Sequence, residues 1–173
     1  MDVRSKIRSI PDFPKKGISF KDITTVLKDP IAFKYCIEEL HRHYQEMAID
    51  KIVGIESRGF ITGAALAYSM QKGFVPIRKP GKLPAATIRK EYLLEYGNDA
   101  MEIHQDAILS GERILLHDDV LATGGTMRAA CSLVKELGGT IVGLSFLVEL
   151  AFLNPRTKLS EYDIFSLVSY QSE

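Results

Sequence analysis

The chain has 173 residues, 46% hydrophobic and 25% charged, an ordinary balance for one globular domain spanning 1–173 with its own core. Lys plus Arg and Asp plus Glu each total 22, so the formal net charge is zero and no global field draws the chain to nucleic acid or anionic lipid. Residues 1–10 alternate charge with apolar residues rather than forming a signal-peptide core, and no stretch reaches the length of a membrane span, which makes cytoplasmic residence the default expectation.

In chain order, the first feature is Gly17-Ile18-Ser19-Phe20-Lys21-Asp22-Ile23, whose local content predicts a short edge strand with a buried phenylalanine. Lys28-Asp29-Pro30 then reads as a helix start, with Asp29 as N-cap and Pro30 at the first helical position. Phe33, Cys36, Ile37, Leu40, Tyr44 and Met47 follow at three-four spacing and predict a buried face. His41 and His43, two apart, cannot form the i, i+4 metal pair and are expected to face solvent. A strand is predicted over 51–55, an alanine-rich helix over about 60–70 and a second strand over 74–77. A third strand over 113–120 leads to a helix over 126–137, which Gly138 ends; strands over 141–148 and 163–168 complete the series. Strands alternating with helices imply an α/β fold, a parallel sheet flanked by helices on both faces. Cys36 and Cys131, both in predicted helices and without C-x-x-C or zinc spacing, read as buried free thiols.

One stretch breaks the alternation. Residues 78 to about 110 carry Pro80, Gly81, Pro84 and Gly97 among several charges, and the strand-like content of 87–96 predicts a flexible hairpin able to close over a site.

Chemistry concentrates in Ile114-Leu115-Leu116-His117-Asp118-Asp119-Val120-Leu121-Ala122-Thr123-Gly124-Gly125-Thr126. An apolar strand buried on both faces delivers two adjacent carboxylates near its end, and these can hold neighbouring positions such as vicinal hydroxyls. Ala122, Thr123, Gly124, Gly125 and Thr126 are small or conformationally permissive, so backbone N–H groups and two hydroxyls can converge on an anion at the start of a helix. This combination reads as a site for a phosphorylated sugar. Neither G-x-G-x-x-G after a strand nor G-x-x-x-x-G-K-[ST] occurs, so a dinucleotide fold and a P-loop are not supported. His117 is expected to be a strand-end histidine with a local hydrogen-bond partner rather than a catalytic group.

Glu56-Ser57-Arg58-Gly59-Phe60 follows the first long strand and opens a helix, which makes Ser57 and Arg58 a second anion site on the same sheet edge. Arg78, Lys79 and Lys82 start at the carboxyl end of the next strand, where further phosphate should lie. Spacing alone gives Leu94-Glu95-Tyr96-Gly97 no catalytic warrant.

The run through Asp118, Asp119 and the Thr-Gly-Gly-Thr loop closely resembles the phosphoribosyl diphosphate (PRPP) motif of the type I phosphoribosyltransferases. The resemblance extends from Pro14 through Ser166, with motifs in family order, and is strongest to the adenine-specific branch. It implies that Asp118 and Asp119 take the ribose hydroxyls and residues 122–126 the 5′-phosphate. Ser57, Arg58, Arg78, Lys79, Lys82 and Tyr96 would hold the diphosphate, with the 78–82 segment also a dimer contact. It further implies that Ser19, Phe20 and Lys21 recognise adenine, with Phe20 stacking on the base and Val120 covering its other face. Lys21 stands where the family often has arginine, a change that loses the planar fork. Glu95 becomes the catalytic candidate, handling the proton of the base or orienting it. The implied reaction is transfer of 5-phosphoribosyl from PRPP to adenine N9, giving AMP and pyrophosphate in purine salvage, in a homodimer. Mg²⁺ is expected to come with PRPP and to be held mainly by substrate, with no dedicated protein ligands. The competing expectations are a hypoxanthine, guanine or xanthine phosphoribosyltransferase, and a PRPP-sensing regulator of the same fold.

Overall fold

The computed structural model describes the chain apart from residues 14, 15, 17, 18, 95, 96 and 173, and describes residues 93, 94, 97 and 98 in their backbone only. Two short strands open it, β1 (Arg8–Ile10) and β2 (Phe20–Asp22), paired antiparallel. A single turn, α1 (Thr24–Leu27), leads to α2 (Pro30–Tyr44), whose start follows from its chemistry. The Asp29 carboxylate accepts from the amides of Ile31 and Ala32 at 3.0 and 3.1 Å, a cap that contributes about 1 kcal/mol. Ala32, Cys36, Ile37, Leu40 and Tyr44 form its buried face, while Met47 lies beyond the helix end.

The main sheet has five parallel strands in the order β4-β3-β7-β8-β9: β3 (Lys51–Ile55), β4 (Gly73–Ile77), β7 (Arg113–Leu121), β8 (Thr140–Leu150) and β9 (Ile164–Tyr170). The chain winds outward from β3 to β4 through α3 (Arg58–Ser69), then returns to the other side of β3 and continues outward from β7 through α4 (Gly125–Glu136). That reversal between β3 and β7 opens a crevice beyond their carboxyl ends, where ligands bind on sheets of this kind. The type I fold expected from the sequence is therefore the one observed.

Two apolar clusters cover the sheet. One packs α1, α2 and α3 on one face through Ile23, Val26, Leu40, Tyr44 and Leu66; the other packs α4 on the opposite face through Met127, Ala130, Cys131 and Val134. The second cluster also takes in Met101 and Ile103 from a hairpin formed by β5 (Thr87–Leu94) and β6 (Gly97–His104). The expectation of a flexible insertion is thus narrowed: the inner side of the hairpin is core, with Ile88 and Tyr92 packed against the same cluster as Met101 and Ile103. Mutual amide–carbonyl bonds between Arg78 and Glu102 tie it to the end of β4.

One smaller expectation is also revised. His41 is half-buried, with Nδ1 2.6 Å from the Ser69 hydroxyl on α3, and His43 stacks on Phe165 with ring centroids 3.7 Å apart. His41 is turned from solvent because α2 packs alongside α3, whereas His43 is exposed as expected, with one side of its ring against Phe165 of β9. Both cysteines are buried thiols, and burial pushes Cys36 up to about 11 and Cys131 up to about 12. No described helix is long and apolar enough to cross a membrane.

Candidate active site

Strand β7 keeps both neighbours only as far as His117, where its pairing with β3 ends at Gly54, while its pairing with β8 continues to Leu121 opposite Glu149. The amino end of α3 fills the vacated side. Its approach is unusually close: a Cβ on Gly59 would lie 2.7 Å from Asp118 Oδ1 and 3.2 Å from the Asp118 Cα, so only glycine permits it. The Asp119 amide donates to Asp118 Oδ1 at 2.9 Å. Asp119 is buried and accepts from Arg58 Nε at 2.5 Å, while the Arg58 guanidinium lies 5.1 Å from the Phe20 ring centroid. Arg58 therefore joins the acid pair to the aromatic platform. Burial, followed by the like charge of Asp119, pushes the Asp118 carboxyl well above the usual carboxylate range.

Beyond Leu121 the chain turns through Ala122, Thr123 and Gly124 into α4 at Gly125. Gly124 is left-handed at φ 80°, and its missing Cβ clears the Pro155 carbonyl, which would otherwise be 3.1 Å away. No side chain caps α4, so its first-turn amides are left for an anion. The cis Glu56–Ser57 peptide leads into α3, whose amino end likewise has no side-chain cap.

These elements surround one cleft of about 710 Å³. Its wall brings together the acid pair, Ala122, Thr123, Gly124 and Thr126 from the loop, Ser57 and Arg58 from the start of α3, Lys79, and Ser19, Phe20, Lys21 and Val120 on the base side. Gly125 opens the helix without lining the wall. The two remaining basic residues of the 78–82 cluster do not reach it either. Arg78 donates to Glu56 at 3.1 Å and to the Lys82 carbonyl at 3.2 Å, while Lys82 is exposed. Glu56, held below the usual range by Arg78 and the Lys79 amide against the opposing effect of burial, shapes this loop instead. Lys21 lines the base side, yet its ammonium bonds the Ser9 and Ser19 hydroxyls at 3.0 and 3.1 Å and lies over Tyr170. Glu95 and Tyr96 fall outside the described residues.

Several cleft residues carried no sequence signal. Tyr92 and Asp99 face each other across the hairpin; Tyr92 donates to Asp99 at 3.2 Å, and Asp99 pairs with the Lys79 ammonium. Burial raises the Tyr92 phenol to about 12. Their positions, each three residues from the Glu95-Tyr96 pair, become meaningful only once the hairpin register is known. Leu150 at the end of β8, with Phe152 and Leu153 just beyond it, adds an apolar wall in a segment without a motif. Among the described residues, no cluster of three or more His, Cys, Asp or Glu could hold a metal.

His117 lies in the middle of β7 rather than at its end, fully buried beneath the acids. Its Nε2 is 2.7 Å from Thr62 Oγ1 on α3, and its Nδ1 is 3.0 Å from Ser145 Oγ on β8. Burial lowers its pKa to about 3, so the ring is neutral at ordinary pH. The unfolded chain would bind a proton near pH 6.5 that the folded chain refuses down to about 3. This group's contribution to stability is therefore present above 6.5 and falls with pH across that window, by up to about 1.4 kcal/mol per pH unit. Urea unfolding at pH 6 and 5 should show a steeper loss for the parent chain than for His117→Gln; parallel losses would remove His117 as the cause.

The phosphoribosyl transferase domain family matches residues 22–171. The adenine phosphoribosyltransferase of Chlorobium chlorochromatii is 53% identical over 177 aligned positions that cover 100% of both chains. Among solved structures, the adenine phosphoribosyltransferase of Thermoanaerobacter pseudethanolicus superposes with a TM-score of 0.96 at 55% identity, covering 98% of each chain. The enzyme from Saccharomyces cerevisiae, complexed with an imino-altritol bisphosphate and adenine, gives 0.90 at 39% identity, covering 96% of each chain.

Proposed function

This chain belongs to the phosphoribosyl transferase domain family, among its adenine phosphoribosyltransferases, and on that footing we propose how its cleft divides the transfer of 5-phosphoribosyl to adenine N9. The donor is PRPP and the products are AMP and pyrophosphate. What carries the assignment is the placement of the acid pair between two uncapped helix starts, opposite an aromatic platform, in one cleft.

Asp118 and Asp119 accept the ribose hydroxyls, and the 122–126 loop with the α4 amides holds the 5′-phosphate. Ser57, Arg58 and Lys79 hold the diphosphate. Asp119 is already engaged by Arg58, so ribose hydroxyls would displace the guanidinium, which is then free to swing to the diphosphate and uncover Phe20. Phe20 and Val120 sandwich the base, with Leu150 and Phe152 extending the apolar wall. Lys21 supports this wall from behind through Ser9, Ser19 and Tyr170 rather than through its charge on adenine.

Displacement at the anomeric carbon develops oxocarbenium-like charge, so the chain's tasks are aligning N9 with that carbon, holding the leaving diphosphate and excluding water. Mg²⁺ would accompany the diphosphate and neutralise its charge; the oxygen-only donors of the acid pair suit such a hard cation, with substrate and water supplying most ligands. Tyr96 would help hold the diphosphate and Glu95 would serve the base, both on the strength of the family resemblance.

The assembly is read as a homodimer. Ile61 and Tyr68 on the outward face of α3 are 48% and 88% exposed, which supports an apolar contact there, and the exposed Lys82 is available to reach beyond its own cleft. The two buried free thiols support a reducing, cytoplasmic setting.

Pyrophosphate release should be measured with PRPP and each of adenine, hypoxanthine, guanine and xanthine. Release with adenine alone is expected. Release with a different purine, and not with adenine, would overturn the base assignment.

A further inference from the structure

PRPP must be held at two places that belong to different elements: its diphosphate at the amino end of α3 and its ribose on β7. These elements share no backbone hydrogen bonds, because β7 pairs with strands and α3 with itself. Their relative position therefore rests on side chains. Gly59 and Gly63, four residues apart on one face of α3, let the helix approach β7 so closely that a Cβ on Gly63 would lie 3.2 Å from the His117 ring. Within this close contact sits a buried polar link from Thr62 to the His117 ring and on to Ser145 of β8, all three fully enclosed. On the α2 side, the Tyr44 hydroxyl donates to the carbonyl of Leu144, the residue before Ser145, at 3.2 Å.

We infer that His117 is a positioning residue that locks the spacing between the diphosphate and ribose halves of the donor site through its bond to Thr62. The geometry on both sides is short. Thr62 lies one helical turn beyond Arg58, about 6 Å along the axis. His117 directly precedes Asp118. Both partners are buried and neither touches the cleft, so the link acts only through the groups it holds. A neutral imidazole suits the role, since one ring nitrogen donates while the other accepts, and each has a hydroxyl that can take the complementary part. An aliphatic side chain at 117 would fill the space without recording the helix position along the strand; the directional bond does both. A ligand that spans two subsites gains affinity only when their separation matches its own, so loosening the link should weaken the spanning ligand and spare its fragments.

The inference rests on the proposed assignment of the two subsites, and the test separates them. Thr62→Val removes the hydroxyl at nearly constant volume, and Thr62→Ser retains it. KM for PRPP should rise about tenfold in Thr62→Val, and Thr62→Ser should return it close to the parent value. Dissociation constants for pyrophosphate alone and ribose 5-phosphate alone should stay within about twofold of the parent, as should KM for adenine. An unchanged KM for PRPP in a folded Thr62→Val chain overturns the inference, as does a loss shared equally by PRPP and its fragments. If Thr62→Val does not fold, His117→Leu decides in its place: it removes the same bond from the strand side, and unchanged PRPP affinity in that folded chain overturns the inference too. Failure of both fragments to bind the parent chain would instead count against the subsite assignment.

Discussion

Replacing Asp118 and Asp119 together by asparagine should abolish PRPP turnover, with kcat/KM falling by at least about a thousandfold, and Asp118→Asn alone, which leaves the Asp119–Arg58 pair in place, should melt higher than its parent. The activity loss follows from geometry, because these two carboxylates are the acceptors that the cleft presents between its two anion sites. Amides keep the shape but exchange one acceptor oxygen in each for a donor, which opposes hydroxyl binding and removes the charge facing the developing oxocarbenium ion. The stability gain follows from electrostatics. Asp118 is pushed upward by burial and by Asp119, so its ionised form is less favourable in the folded chain than in the unfolded one. A raised acid of this kind costs stability at neutral pH, and the cost disappears as pH falls through its folded value; a neutral amide at position 118 would carry no such cost. Thermal melting at pH 7 alongside a pyrophosphate-release assay checks both halves. PRPP binding retained in the double variant would contradict the ribose assignment, and a lower melting temperature of Asp118→Asn would contradict the reading of Asp118 as electrostatically strained. Site residues that trade stability for activity are common in proteins near their stability threshold.

The second large effect is expected from Glu95→Ala, which should lower kcat by about a hundredfold or more while PRPP affinity survives. Adenine N9 carries a proton that must leave as the N–C bond forms, and a carboxylate within reach of the base contributes that order of acceleration through general-base or orienting action. The assignment comes from the family resemblance of Leu94-Glu95-Tyr96-Gly97. The described neighbourhood supports it: Tyr92 and Asp99, paired across the same hairpin, line the cleft beside Lys79. Glu95→Gln separates the two roles. A glutamine that restores much of the rate points to orientation, and one as slow as alanine points to proton transfer. Turnover unchanged in both variants would take Glu95 out of the mechanism.

Much of the fold was legible because its signals are local. Asp29-Pro30 marks a helix start whatever surrounds it, and the apolar runs at 51–55, 114–116 and 141–148 identify strands buried on both faces. The donor motif was legible for the same reason, since strand, acids, loop and helix start are contiguous. The alternation of strands and helices then implied the parallel sheet and the edge on which ligands bind.

The remaining features depend on residues distant in sequence that meet only through packing. Nothing local to Arg78 says that its guanidinium is taken by Glu56 rather than offered to a phosphate, because that depends on the register of β3 against β4. Nothing local to His117 names Thr62 and Ser145 as its partners, since these come from a helix and a strand brought together by close packing at Gly59 and Gly63. The hairpin read as an insertion because its polar outer side dominates its composition, yet Met101 and Ile103 face the core. Contiguous residues encode backbone conformation and a linear motif, so the order of residues was enough for the fold class, the chemistry of the donor loop and, through family resemblance, the base. Which charges face the cleft and which are spent holding it in shape emerged only from packing, because a charged side chain acts on the neighbour that the folded chain gives it.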